Sequence, residues 1–168
     1  PAFSVRMAKD SLGRIWLGQL STLSRYDGTR WITYPLPTES AITALYGASN
    51  GDLWVGMCCG DTALGRLRGT TWITYAQFIS PDIGLSQVRS IDEDNAGNMW
   101  FGTEFGVVRF DGNRWTRYVT DANTAINPIS HIVHDRAGNI WVVAAYLQPK
   151  LYSFNGVTWK LQDSNDGV

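Results

Sequence analysis

The side chains able to do acid–base or metal chemistry are few in this chain of 168 residues. His131 and His134 are its only histidines. Residues an odd number apart on a β-strand point to opposite faces of the sheet. These two side chains therefore cannot chelate one ion, which excludes a two-histidine metal site.

The acidic run 92–94 precedes Gly97 and has the composition of the start of a calcium loop. Ala96, however, stands where such a loop needs an oxygen ligand, and Thr103 stands where it needs a bidentate glutamate. The sequence also has neither a glycine-rich phosphate loop nor a nucleophile elbow. We therefore predict no metal and no cofactor.

Cys58 and Cys59 are adjacent in the sequence. Neighbouring cysteines form a disulfide only through a strained ring, so two reduced thiols in a loop are the simpler interpretation. A vicinal disulfide or redox role is the alternative.

The elements that must position these groups are clearest in residues 94–118, DNAGNMWFGTEFGVVRFDGNRWTRY. This stretch predicts three short strands joined by tight turns. Asp111-Gly112 lies between two apolar runs, the strongest short hairpin signal, because a type I′ turn needs positive φ at both central residues.

The same unit occurs four times along the chain. In every copy a turn glycine is followed three residues later by a tryptophan, and a hairpin glycine is followed three residues later by another. The turn pairs are Gly13 with Trp16, Gly51 with Trp54, Gly97 with Trp100 and Gly138 with Trp141; the hairpin pairs are Gly28 with Trp31, Gly69 with Trp72, Gly112 with Trp115 and Gly156 with Trp159. These are all eight tryptophans, so none is left for an independent site. We expect the four in the two middle units, Trp54, Trp72, Trp100 and Trp115, to be largely buried between blades.

Each unit also contains an innermost strand, clearest where Val88, Ile91 and Asp94 are spaced by three residues. Four strands per unit at this spacing predict an all-β fold of the β-propeller type, with four four-stranded antiparallel blades. The approximate blade ranges are 1–38, 39–80, 81–123 and 124–168. We expect an open or partial ring that a second chain can complete.

The repeated strings resemble those of a known family. The string GNMWFGTEFGVVRFDGNRW and its weaker copies resemble the two-component-regulator propeller repeat, and are also similar to propellers of the streptogramin-lyase type. The resemblance implies multi-bladed sensor or ligand-binding modules, often periplasmic parts of bacterial sensor kinases, and hence a periplasmic or extracellular location. The chain departs from the repeat at Val143, which replaces the glycine two residues after the tryptophan.

Charge and hydropathy exclude two classes of partner. The formal net charge of −1 gives no field that favours nucleic acid or an anionic membrane. No stretch approaches the length of apolar sequence that crosses a bilayer. We predict neither nucleic-acid binding nor membrane insertion.

The two connections of variable length emerge on the same face of a propeller, and such loops usually carry binding groups. That face comprises residues 35–41, 57–63, 76–87, 103–106, 119–128 and 144–150. On it we predict a site for a small molecule or glycan, formed by Arg89, Glu104, Phe105, His131, Tyr146 and Gln148. Each has a plainer interpretation: the rings pack the loops, the polar tips are solvated, and Arg89 pairs with Asp92 or Glu93.

We therefore predict a non-catalytic ligand-binding or sensing module. A lyase-like enzyme, with His131 as general base and Glu104 nearby, is one alternative, and a structural fragment of a larger ring is the other.

We also expect a homodimer in which blade four of each chain meets blade one of the other. This head-to-tail arrangement gives an eight-bladed ring.

Overall fold

The computed structural model describes residues 5–76, 78–80, 83–118, 128–145 and 148–162, and within them all regular structure is β. Four antiparallel sheets of four strands correspond to the four repeat units, and we call them blades 1 to 4. Blade 1 is β1 Val5–Lys9, β2 Ile15–Gln19, β3 Thr22–Tyr26 and β4 Trp31–Tyr34; blade 2 is β5 Ala41–Gly47, β6 Leu53–Cys58, β7 Thr62–Arg68 and β8 Thr71–Ala76. After a short hairpin, β9 Phe78–Ser80 and β10 Ile83–Gly84, blade 3 is β11 Ser90–Glu93, β12 Met99–Thr103, β13 Gly106–Phe110 and β14 Trp115–Tyr118. Blade 4 is β15 Ile129–His134, β16 Ile140–Ala144, β17 Lys150–Phe154 and β18 Trp159–Gln162.

The predicted fold class is confirmed: the strands of every blade are hydrogen-bonded in chain order. The β9–β10 hairpin lies in the connection between blades 2 and 3, where the repeat predicted only a loop. The described connection between blades 1 and 2, residues 35–40, contains no strand, so the repeat pattern gave no signal for this hairpin.

The turn between the first two strands of a blade is organised by an aspartate. In blade 3 the Asp94 carboxylate accepts hydrogen bonds from the backbone N–H of Ala96 and Asn98, both at 2.9 Å, and from the indole N–H of Trp100 at 2.7 Å. Gly97 completes the turn at φ 80°, a conformation that favours glycine. Asp10 and Asp135 bind the indoles of Trp16 and Trp141 in the same way.

Blade 2 lacks this aspartate, because Ala48 occupies its position. The indole nitrogen of Trp54 is consequently buried without a hydrogen-bond partner. The nearby carboxylate, Asp52, instead binds the guanidinium groups of Arg66 and Arg68. Blade 2 thus replaces the tryptophan–aspartate contact with an arginine-bound carboxylate.

A repeated arginine lies across the strand pair from the first tryptophan of three blades. The guanidinium carbons of Arg25, Arg66 and Arg109 lie 5.5, 5.2 and 5.9 Å from the ring centroids of Trp16, Trp54 and Trp100. These distances are those of cation–π contacts. All three arginines thus stack over tryptophan, and two of them also pair with aspartates: Arg66 binds Asp52, and Arg109 Nη2 lies 3.7 Å from the Asp111 carboxylate.

Three hydrophobic clusters form the core, one between each pair of successive blades. Trp54 and Trp100 are buried in these clusters, as their repeat position predicts. Trp72 and Trp115, which were expected to be equally buried, are only half-buried because they lie on the outermost strands.

The ring is open. The innermost strands β1, β5, β11 and β15 pack against one another in succession, and blades 1 and 4 do not close on each other. Within the described residues the structure also has no helix that could span a membrane.

Candidate functional site

The innermost strands line a cavity of about 460 Å³ at one end of the arc. Its lining residues are Arg6, Thr43, Gln87, Arg89, Ser130 and His131. All six lie at or just before the beginnings of β1, β5, β11 and β15, the end from which the variable connections emerge. The cavity therefore lies on the face that the loop lengths indicated, and it contains two of the predicted site residues.

The repeat register explains why these side chains meet. Arg6 and His131 each lie four residues before the aspartate of their turn. Thr43, Arg89 and Ser130 lie five residues before the equivalent position of their own blades. Both repeat positions lie near the beginnings of the innermost strands, so residues distant in the sequence share one cavity.

Two β-bulges in the innermost strands help to direct the Thr43 and Ser130 side chains into the cavity. The pairing of β5 with β6 shifts register between Ile42 and Ala44, and that of β15 with β16 shifts between Ile129 and His131. Thr43 and Ser130 are the extra residues at these shifts. A β-bulge bends its strand and redirects a side chain, and bulges are common beside functional sites.

Arg89 is exposed, and its Nη2 donates a hydrogen bond to the Gln87 side-chain oxygen at 2.8 Å. The alternative of a salt bridge to Asp92 or Glu93 is not what the structure shows. Asp92 binds the Nδ1 of His134 at 2.8 Å, and Glu93 accepts hydrogen bonds from Ser49 of blade 2. The Arg89 guanidinium is thus directed to the cavity.

Arg6 is the second guanidinium of the cavity. It is exposed, and its Nε donates to the backbone oxygen of Thr43 at 2.6 Å, a contact from blade 1 to blade 2. No carboxylate is present among the described residues that line the cavity. The local charge is therefore positive although the chain as a whole is nearly neutral.

His131 is exposed in the same cavity, and its Nδ1 lies 3.1 Å from the Ser130 hydroxyl oxygen. His134, three residues later, binds Asp92 instead. The two histidines are thus engaged in different places. Within the described part of the chain no group of three or more histidine, cysteine, aspartate or glutamate side chains could hold a metal ion.

Glu104 and Phe105 form the turn between β12 and β13, on the same end of the molecule but outside the cavity lining. The buried Thr103 hydroxyl holds this turn, accepting from the Phe105 N–H at 3.0 Å and donating to the Gly106 oxygen at 2.9 Å. The Glu104 N–H donates to the Ser86 oxygen at 3.1 Å. The structure does not bring Glu104 into the cavity that contains His131.

The other two predicted site residues lie beyond β16. Gln148 is exposed on the connection to β17 and does not line the cavity. Tyr146 lies outside the described residues. Conversely, Arg6, Thr43, Gln87 and Ser130 line the cavity but were not predicted, although the repeat register would have identified all but Gln87.

The adjacent cysteines lie at the end of β6, and both thiols are free. Cys59 has a φ of 71°. Burial, followed by the hydrogen bond and charge of Cys59, raises the pKa of Cys58 to about 11, and only the nearby Arg89 acts in the opposite direction. Cys58 is therefore a protonated, weakly reactive thiol at neutral pH.

Comparison with known proteins agrees with the sequence pattern. A family model described as "Two component regulator propeller" matches residues 82–105, a stretch that includes Arg89, Glu104 and Phe105. The predicted resemblance to this repeat is confirmed. A search of curated proteins found no match.

Several solved structures share the fold. A streptogramin B lyase has 19% identity and a TM-score of 0.76 over 94% of this chain and 53% of that chain. A catalytically inactive virginiamycin B lyase from Staphylococcus aureus with quinupristin has 18% identity and a TM-score of 0.77 over 95% and 55%. The extracellular domain of a putative hybrid two-component system from B. thetaiotaomicron has 20% identity and a TM-score of 0.71 over 95% and 21%.

Sequence identities of 18–20% show that this chain shares the fold of these structures and nothing about their activity. The chain spans about half the length of the lyases and about a fifth of the two-component domain. Fold and repeat together define the class of protein: a β-propeller repeat module with four blades in an open ring, one stretch of which matches the two-component-regulator propeller model.

Proposed function

We propose that this module binds a small anionic ligand in the cavity at the mouth of its channel and acts as a non-catalytic sensing or recognition unit. The observation that carries the proposal is the convergence of Arg6, Arg89 and His131 in one cavity whose described lining has no carboxylate. The two arginines come from blades 1 and 3, so a ligand held by both would bridge the arc.

The lining favours carboxylate or phosphate groups on a polar ligand. A guanidinium presents a planar fork of donors that matches both anions. Thr43, Ser130 and Gln87 add hydroxyl and amide groups for ligand hydroxyls. A volume of about 460 Å³ is that of a typical small-molecule site.

An acidic oligosaccharide fits this description best, because it combines carboxylates with many hydroxyls. Among the described lining residues the His131 imidazole is the only ring, so there is little support for a neutral sugar held by aromatic stacking. The similarity to an extracellular domain of a putative two-component system supports a periplasmic or extracellular location, where such ligands are encountered.

Isothermal calorimetry with an oligogalacturonide and with inorganic phosphate tests the proposal, with a neutral oligosaccharide of equal length as a control. We expect saturable binding of an anionic probe that weakens as salt concentration rises. Arg89→Gln should weaken binding by roughly 10- to 100-fold, the range for losing a charged hydrogen bond.

Arg136→Gln is the matched control, because Arg136 is exposed on the constant turn between β15 and β16, at the opposite end of the blade. It should leave the affinity unchanged. If changing Asp27 or Asp111 abolishes binding while Arg89→Gln does not, the site lies on the constant-turn face and the proposal fails.

A lyase-like activity is the second candidate, and the observation in its favour is that His131 lies in the cavity of a fold shared with streptogramin B lyase. Glu104 lies outside that cavity, so His131 would have to act without the predicted carboxylate. Incubation with quinupristin, followed by mass spectrometry, distinguishes the two functions. Turnover that His131→Ala abolishes supports the enzyme, whereas binding without a change in mass supports recognition.

A third possibility follows from length: a chain spanning about half of the lyases could be a structural segment of a larger ring. Saturable binding by these 168 residues would argue against a purely structural role.

A further inference from the structure

The cavity at the mouth of the channel combines two guanidinium groups with hydrogen-bond acceptors whose own protons are already used. We propose that it selects an anion that also carries a hydroxyl, and that the Nε2 atom of His131 is the acceptor that enforces this choice. The inference rests on the proposed function, because it names the chemistry that the ligand must add to its negative charge.

The tautomer of His131 follows from the hydroxyl beside it. Ser130 Oγ donates its single proton to the backbone oxygen of Val143 at 3.2 Å, because a carbonyl oxygen can only accept. The His131 Nδ1, 3.1 Å from that hydroxyl oxygen, must therefore donate to it. A neutral imidazole with its proton on Nδ1 has a lone pair on Nε2. His131 thus presents an acceptor, not a donor, at its outer nitrogen.

The bulge of blade 4 explains why the Ser130 hydroxyl is committed to Val143. Where β15 pairs with β16, Ile129 lies opposite Ala144 and His131 lies opposite Val143, so Ser130 has no partner residue. Its hydroxyl reaches the Val143 oxygen across the strand pair instead. The tautomer of His131 is therefore set by the backbone of blade 4 and is in place before any ligand binds.

Thr43 repeats this arrangement on blade 2. It is the residue left out of the pairing at the bulge of β5, and its hydroxyl donates to the Val88 oxygen at 2.5 Å. Because that uses its single proton, Thr43 Oγ1 can only accept a hydrogen bond from a ligand. The two hydroxyls of the described cavity lining, those of Thr43 and Ser130, are thus both acceptors towards a ligand.

The Nε2 atom of His131 is available to a ligand. The side chain is exposed in the cavity, and no group of the described chain forms a hydrogen bond with this nitrogen. The charged groups of the described lining are the guanidiniums of Arg6 on β1 and Arg89 before β11; Thr43 on β5 and Ser130 on β15 carry no charge. The donor for Nε2 must therefore come from the ligand.

Charge and tautomer together define the selection. An anion without a proton satisfies the guanidiniums but places an oxygen lone pair against the lone pair of Nε2. An anion with a hydroxyl satisfies both, because its charged oxygens accept from Arg6 and Arg89 while its O–H donates to His131. Sites built to bind a hydroxyl reject analogues that lack it. Inorganic phosphate and hydroxy acids share the required chemistry, whereas sulfate and simple carboxylates lack it.

Two pairs of ions that differ by one hydroxyl test the selection by isothermal calorimetry. At about pH 8, where an imidazole is ordinarily neutral, hydrogen phosphate should bind roughly tenfold or more tighter than sulfate, an ion of the same charge and shape. Lactate should exceed propanoate in the same way, and binding confined to one pair identifies which source supplies the hydroxyl. His131→Ala should remove the preference within each pair, while the two arginines still hold the anions.

The pH dependence of sulfate binding separates this role from a structural one. Sulfate keeps its charge between about pH 5 and 8, the range in which a histidine gains a proton and Nε2 becomes a donor. The parent chain should therefore bind sulfate more tightly at the lower pH, and His131→Ala should not. His134→Gln, at the other end of β15 and outside the cavity lining, is the matched control and should keep the dependence.

The outcomes distinguish this inference from the proposed function. Equal affinities within both pairs, or a preference that persists in His131→Ala, would overturn the inference and leave the anion site standing. If none of the four ions binds, the inference fails, and the proposed function fails with it only when the oligogalacturonide also does not bind. Circular dichroism of each variant checks that the fold is retained.

Discussion

Single aspartates hold the most regular part of each blade. Asp94 joins the turn of blade 3 to the indole of Trp100, and burial alone would raise the pKa of its carboxyl. Hydrogen bonds from Trp100, Asn98 and the backbone outweigh burial and lower that pKa. The carboxylate is therefore stabilised in its charged form, as a structural group and not as a general acid.

Replacing Asp94 with Ala should lower the free energy of unfolding by about 1.5–3 kcal/mol, the range for hydrogen bonds to a charged group. Asp111→Ala is the control, because the hydrogen bonds that Asp111 accepts in its exposed hairpin come from backbone N–H groups, and its carboxylate lies 3.7 Å from Arg109 Nη2. Its effect should be clearly smaller. Urea denaturation of both variants checks the difference, and equal losses would contradict the role given to the indole contact.

The same contact predicts a loss of stability in acid. Hydrogen bonds from Trp141 and Asn139 lower the pKa of Asp135 from 3.8 to about 2. The folded state then binds this proton less tightly than the unfolded state, so the stabilisation is complete above about pH 4 and is lost as pH falls towards about 2. Asp135→Asn should flatten the stability profile in that window, and an unchanged profile would show that the carboxylate is not responsible.

At the level of residues, the repeat register places Asp10, Asp94 and Asp135 three residues before a turn glycine, but it does not show what replaces this aspartate in blade 2. Ala48 was recognisable as a departure from the repeat, yet nothing in the sequence indicated that Asp52 would bind Arg66 and Arg68. That arrangement depends on the register between β6 and β7, which places the two arginines beside the carboxylate. Without an aspartate at position 48, the Trp54 indole nitrogen is buried without a hydrogen-bond partner.

At the level of strands, the spacing of glycine and tryptophan predicted every blade, because constant turns fix which residues pair across them. The bulges beside Thr43 and Ser130 were not predicted. A bulge results from a mismatch between two paired strands, and one strand's sequence does not show it. These irregularities aim residues at the cavity, so the site was less predictable than the scaffold.

The buried tryptophans should dominate the stability of the blades. Trp100→Ala removes a ring that contacts Tyr118 of its own blade and Phe154 of the next, and should cost about 3–5 kcal/mol. Val157→Ala, in an exposed turn, provides the control. Chemical denaturation measures both, and a Trp100→Ala curve that overlays that of the parent would contradict the packing described between blades 3 and 4.

At the level of the whole molecule, the cavity forms because the arc brings the beginnings of the four innermost strands close together. This cavity lies on the face that the loop lengths favoured, and Arg89 and His131 line it. Glu104, Phe105 and Gln148 lie outside it, because the outer loops stand further from the axis than the innermost strands. The curvature that separates these two groups comes from packing between blades, which repeat spacing does not specify.

The central claim is that arginines from two different blades hold one anionic ligand. The most direct test is the affinity of the Arg6→Gln, Arg89→Gln double variant for the anionic probe bound by the parent chain, measured by calorimetry. We predict a loss of affinity of roughly 100-fold or more, less than the product of the two single-variant losses because both groups contact the same ligand. A double variant that binds the probe as tightly as the parent would contradict the account.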